Sequence, residues 1–132
     1  MPYAEWDERL SIGIEAIDGQ HKRLIQMLND LDDAYDSADR QAAAAECLLK
    51  MKAYSIEHFA DEEAYMERIG YPDLKTHREE HAVFIGKVSD YEAGQIISYT
   101  PYQDMLRFLK DWLLAHIEGS DQKIAEYAEG SD

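Results

Sequence analysis

A single cysteine, Cys47, stands in the 132-residue chain. No intrachain disulfide can form, and one thiol cannot build a thiolate metal site, so a disulfide-stapled fold is excluded. Prolines are scarce, at positions 2, 72 and 101, and glycines number seven. Long stretches free of breakers favour helices. Basic residues are also few: 13 Lys and Arg face 28 Asp and Glu, a net charge of -15. That sign argues against nucleic acid and anionic membrane surfaces, which both call for basic patches. The most apolar stretch, 108–117, is short and holds Lys110, Asp111 and His116, so no membrane insertion is expected. The acidic start, Met1-Pro2-Tyr3-Ala4-Glu5-Trp6-Asp7-Glu8, lacks the apolar core of a signal peptide. The expectation is a cytoplasmic, monomeric protein of one domain.

What is present is helical periodicity. Asp18 is a good N-cap for a first helix whose apolar face runs Leu24, Ile25, Leu28, Leu31 and Tyr35. After the turn 36–39, a second helix spans 40–69, with Leu48, Met51, Tyr54 or Ser55, His58, Glu62, Tyr65 or Met66, and Ile69 on one side. Gly70 suits the position just past its end, and Pro72 forbids continuation. Asp73 can cap a third helix carrying Leu74, His77, His81, Phe84, Ile85, Val88 and Tyr91, which ends before Gly94. Thr100-Pro101 reads as an N-cap with proline at the first helical position. The fourth helix then carries Met105, Phe108, Leu109, Trp112, Leu113 and His116. Short connections between four amphipathic helices predict an all-α, antiparallel up-down-up-down four-helix bundle at 18–117. An N-terminal arm, 1–17, lays Trp6 and Ile12 or Ile14 over it, and 118–132 forms a short C-terminal helical segment.

The histidines break the pattern of an ordinary core. There are five, His21, His58, His77, His81 and His116, and every one falls on an apolar stripe. Five buried imidazoles each need partners, and a shared metal centre would satisfy them together. His58 and Glu62 are four apart, as are His77 and His81, so each pair points one way from neighbouring turns. His116 and Asp121 are five apart, roughly 140° on a regular helix. For both to face one site the helix must loosen between them, where Gly119-Ser120 sits.

Imidazole and carboxylate donors suit iron, manganese, copper or zinc rather than calcium or magnesium. Seven donors are too many for one ion but suit two. If both carboxylates and one solvent oxygen bridge two octahedral ions, a single coordination position stays open. A small ligand needs such a gap, and a purely structural site does not.

The ordered set is distinctive: His21; His58-Phe59-Ala60-Asp61-Glu62; His77-Arg78-Glu79-Glu80-His81; and His116-Ile117-Glu118-Gly119-Ser120-Asp121. It resembles the hemerythrin family, in its stand-alone bacterial form, over nearly the whole chain. The segment Ile17-Asp18-Gly19-Gln20-His21 and the early Trp6 are similar to that family too. The resemblance implies two iron ions, a non-haem di-iron centre bridged by an oxo or hydroxo group and by Glu62 and Asp121. His77, His81 and His116 would hold one iron, and His21 and His58 the other, which carries the open position. The implied activity is reversible dioxygen binding, for storage, transport or delivery to an oxygen-consuming client enzyme. Leu24, Phe59 and Leu114, beside or one turn from ligands, are the expected oxygen pocket.

Three other readings use the same residues. One is enzymatic reduction of oxygen or peroxide. The Glu-x-x-His motif of ferritin-like di-iron proteins is absent, however: residues three before each histidine are Asp18, Ser55, Leu74, Arg78 and Leu113. Oxygen or redox sensing is another, and a structural or storage site for zinc the third.

Overall fold

In the computed structural model, residues 3–94 and 98–130 are described. The outer ends of the expected arm and C-terminal segment therefore lie outside the described residues. Five α-helices follow one another: α1 (Glu15–Ala34), α2 (Arg40–Ile69), α3 (Leu74–Ala93), α4 (Tyr99–Ala115) and α5 (Gln122–Gly130). A 3₁₀ turn covers Glu8–Leu10, and a π-helical turn, His116–Asp121, joins α4 to α5. Helix α1 packs against α2 and α4, and α3 packs against the same two, which closes the expected four-helix bundle.

Local chemistry sets both ends of α2. The Asp39 carboxylate accepts from the Ala42 amide at 3.2 Å, an N-cap bond. Gly70 takes the left-handed conformation at φ 71, and the Tyr71 amide reaches back to the Met66 carbonyl at 2.9 Å. That closure satisfies carbonyls the helix end would otherwise leave unpaired.

Two helix starts differ from expectation. Helix α1 begins at Glu15, and Asp18 lies in its first turn rather than capping it. The Asp18 carboxylate instead holds the arm, accepting from the Ile12 amide at 2.9 Å and from the Ser11 hydroxyl. Gly13, at φ 79, makes the turn from arm into helix. Helix α4 begins at Tyr99, with Ser98 as the capping position and Pro101 at the third helical residue. Proline fits there because first-turn amides have no partner within the helix.

The stripes settle the open choices in α2: Ser55 and Met66 are buried, and Tyr54 and Tyr65 are not. Leu28, Leu31, Val88, Tyr102, Met105, Leu106 and Leu109 have no exposed surface and form the centre of the core. Each such side chain contributes about 1.5–3 kcal/mol on burial. Of the arm, Leu10 and Ile12 are buried and Trp6 and Ile14 half-buried. Asn29 ties Ala4 to α1 through both its backbone groups, at 2.7 and 2.9 Å.

Candidate metal centre

Helices α1, α2 and α3 and the π turn after α4 bring their donors together in the interior. His21 comes from α1, His58 and Glu62 from α2, His77 and His81 from α3, and His116 and Asp121 from the two ends of the π turn. All seven are buried, the most exposed being His116 at 5%. The π turn does what the five-residue spacing demanded, since its wider winding returns residues five apart to one face. Gly119 lies inside the turn as expected, but the turn does not draw on its conformational freedom. This glycine lacks the left-handed backbone that favours the residue type, and a Cβ there would meet nothing within 4 Å. Ser120 donates its hydroxyl to Glu80 at 2.7 Å from one side of the turn, and His116 and Asp121 are buried on the other.

The two carboxylates divide the histidines into two sets. Glu62 Oε1 lies 2.7 Å from His77 Nε2, 3.0 Å from His81 Nε2 and 3.6 Å from His116 Nε2. Its other oxygen, Oε2, lies 3.2 Å from His58 Nε2 and 3.5 Å from His21 Nε2. Asp121 repeats the division, with Oδ1 at 3.0 and 3.2 Å from His77 and His116, and Oδ2 at 3.1 Å from His21. Every histidine presents Nε2. Three histidines therefore stand on one side of the carboxylates and two on the other.

Only part of this closeness is hydrogen bonding: His77 Nε2 and His81 Nε2 bond to Glu62 Oε1, and the other carboxylate contacts do not pair. Nε2 of His21 and of His58, Oε2 of Glu62 and both oxygens of Asp121 are fully buried and lack a correctly directed hydrogen bond. Leaving so many polar atoms unsatisfied costs about 1–3 kcal/mol each. Short distances with the wrong directions mean that lone pairs converge on shared points between the residues. Two groups of donors converge in this way: Glu62, His77, His81, His116 and Asp121, and His21, His58 and Glu62. Nitrogen and carboxylate donors in such groups fit transition-metal ions.

The electrostatics agree. Burial alone would push His21, His77 and His116 down; hydrogen bonds and charge from Asp121 and Glu62 outweigh it and raise them to about 9, 9 and 10. Burial would likewise push Glu62 up, but the surrounding histidines hold it well below the usual carboxylate range. Burial and the Glu62 charge push Asp121 up, and His116, His21 and His77 reverse that and hold it low. Without a metal, the site keeps protons between imidazole and carboxylate.

A second layer fixes the rings. His58 Nδ1 bonds to Gln20 Oε1 at 2.7 Å, and Gln20 donates to Asp61 at 2.8 Å. His81 Nδ1 bonds to Glu63 at 2.8 Å, and Glu63 also accepts from Arg78 at 3.0 Å. His116 Nδ1 bonds to Glu80 at 3.0 Å. Donation from Nδ1–H leaves each Nε2 lone pair free for a metal. The Trp112 ring stacks on His116 at 4.6 Å, and Tyr71 meets His77 edge-on at 6.5 Å. Sequence reasoning assigned no role to Glu63 and Glu80, because acids beside ligands on a helix read as its solvated face. It placed Trp112 only as core.

Of the expected pocket residues, Leu24 and Phe59 are buried and Leu114 is half-buried against the core. Phe59 stacks on His81 at 3.9 Å and sits 5.5 Å from His58, so it borders both sets of histidines. No helix among the described residues is long and apolar enough to cross a membrane.

The profile of the Hemerythrin HHE cation binding domain matches residues 12–128. Bacteriohemerythrin of Stenotrophomonas maltophilia is 42% identical over 130 residues, covering 96% of this chain and 82% of the relative. Myohemerythrin of Theromyzon tessulatum is 32% identical over 122 residues, covering 92% and 90%. A crystal structure of wild-type hemerythrin superposes with a TM-score of 0.83 at 26% identity, over 94% of this chain and 96% of that one. The chain belongs to the hemerythrin family, and its buried group of histidines and carboxylates fits a di-iron, oxygen-binding centre.

Proposed function

We propose that the chain is a reversible dioxygen binder rather than an enzyme, serving oxygen storage, transport or delivery to an oxygen-using enzyme. His77, His81 and His116 would hold one iron, His21 and His58 the other, and Glu62 and Asp121 would offer an oxygen to each. The observation that carries this reading is the division of each carboxylate's two oxygens between a three-histidine set and a two-histidine set. When bound, the irons supply the electrons that dioxygen takes up on binding and gives back on release.

The chain's own residues do the rest. Gln20, Glu63 and Glu80 fix ring orientation and tautomer from behind. The unequal histidine count means that the two-histidine side would leave room for a small ligand. Leu24, Phe59 and Leu114 line that space and keep water out, and an apolar wall offers no group to donate or take a proton. The protein acts as a cytoplasmic monomer.

The test is anaerobic reconstitution with ferrous iron, then admission and withdrawal of oxygen. A new absorption band that appears with oxygen and reverts on its removal supports the reading. A spectrum that never reverts, or steady consumption of peroxide or of an added reductant faster than free iron achieves, overturns it.

A further inference from the structure

The residues behind the histidines are not alike on the two sides of the centre. On the three-histidine side, His81 bonds to the carboxylate of Glu63 at 2.8 Å and His116 to the carboxylate of Glu80 at 3.0 Å. On the two-histidine side, His58 bonds to a neutral amide oxygen, that of Gln20, at 2.7 Å. His21 Nδ1 is buried and has no hydrogen-bond partner among the described residues. One side therefore has two carboxylates behind its imidazoles, and the other has none in direct contact. The carboxylate of Asp61 stands one hydrogen bond further back, because Gln20 donates to it.

A carboxylate bonded to Nδ1–H makes the imidazole a stronger donor at Nε2 and adds negative charge near the cation it faces. An amide oxygen accepts the same bond and adds no charge. The shape of the second layer is thus similar on both sides, and its charge is not.

Resting on the di-iron reading, we propose that Glu63 and Glu80, opposed by the neutral Gln20, are positioning residues that make the two halves of the centre unequal. The three-histidine half takes up its metal first and holds it more tightly. The two-histidine half, where the open position lies, takes its metal second and weakly. Of the two acids Glu80 has the larger effect. Glu63 is already partly neutralised by Arg78 at 3.0 Å, whereas among the described residues Glu80 accepts only from the neutral Ser120 hydroxyl and from His116.

The experiment is an anaerobic titration of the metal-free protein with cobalt(II), followed by visible absorption and calorimetry. The wild-type protein shows two uptake events of different affinity. Glu80→Gln keeps the hydrogen-bond acceptor and removes the charge; it weakens the tighter event by about 10–100-fold and leaves the weaker one within about twofold. Glu63→Gln acts in the same direction by a smaller factor. The pair Gln20→Glu with Asp61→Asn brings that side's charge into direct contact with His58 while retaining the bond between the two positions; it tightens the weaker event and narrows the gap. In the iron-loaded protein, Glu80→Gln raises the reduction potential, a shift that a merely structural role would not produce. Acid-to-amide variants that leave both events unchanged, or weaken both equally, overturn the inference while the two-metal reading stands. A wild-type protein that takes up fewer than two ions fails the two-metal reading itself, and the inference with it.

Discussion

Raising the pH should destabilise the metal-free protein through its centre. His21, raised from 6.5 to about 9 by Asp121 and Glu62 against the effect of burial, binds its proton more tightly folded than unfolded. At 1.36 kcal/mol per pH unit, that difference stabilises the fold by about 3 kcal/mol. His77 and His116 are raised in the same way, to about 9 and about 10. The three imidazoles share two carboxylates, so their contributions do not add, and one full pair is the floor. A group whose pKa rises on folding gives its whole stabilisation below its unfolded value, here about 6.5, and loses it as pH rises through 9 to 10. The lowered carboxylates do the reverse, contributing above their ordinary range and failing only as the solution turns acid. For a domain of this size about 3 kcal/mol corresponds to roughly 10 °C in melting temperature. Circular dichroism melts in the presence of a chelator should therefore show a fall of about 10 °C or more between pH 6.5 and 10. The metal-loaded protein, whose histidines have already given up those protons, should not show it. Chelation should lower the melting temperature at every pH, and more so at alkaline pH, where protons no longer stand in for metal. A metal-free melting temperature that stays flat from pH 6.5 to 10 would refute the proton-sharing argument.

Other variants probe single contacts. Gly119→Ala should stabilise the protein by about 0.5–1 kcal/mol and leave metal content unchanged, because the position is exposed and has room for a Cβ; lost metal on analysis would show that the π turn needs glycine. Ser55→Ala should raise the denaturation midpoint by an amount worth about 1 kcal/mol, since the Ser55 hydroxyl is fully buried without a partner. A destabilised variant would mean that the hydroxyl is satisfied by a retained water. Leu114→Ala should keep both irons by metal analysis but autoxidise faster as water enters. An unchanged rate of absorbance loss in air would remove Leu114 from the pocket.

The site was more legible in the sequence than the layer that supports it, and the physics of helices explains why. A ligand on an interior stripe is fixed by the period of its own helix, so His58 with Glu62 and His77 with His81 could be paired from spacing alone. The loosened helix between His116 and Asp121 could be anticipated too, because a five-residue spacing cannot face one point otherwise. Its outside contact could not: Ser120 bonds to Glu80 of a different helix, and nothing local to residues 116–121 announces that partner. The same limit displaced the start of α1. Asp18 has the chemistry of a cap, yet its carboxylate bonds to Ser11 and Ile12 of the arm, and the helix begins earlier. By contrast Gly70 and Pro72 act within a few residues of themselves, and α2 ends where they predict; it starts just after the 36–39 turn, where the structure shows Asp39 as its cap.

Glu63 and Glu80 extend that rule. Each neighbours a ligand, so each lies about 100° around the helix from the interior stripe, at the margin where acids are normally solvated. Only the pairing of α2 with α3, and of α3 with the π turn, turns those margins toward His81 and His116. Residues that bind through their own helix can thus be read from periodicity. Residues that tune through a neighbouring helix depend on register between helices, which a single sequence does not state. The inequality between the two halves of the centre belongs to this second kind: ligand spacing announces seven donors, and inter-helix register decides which of them have a charge behind them.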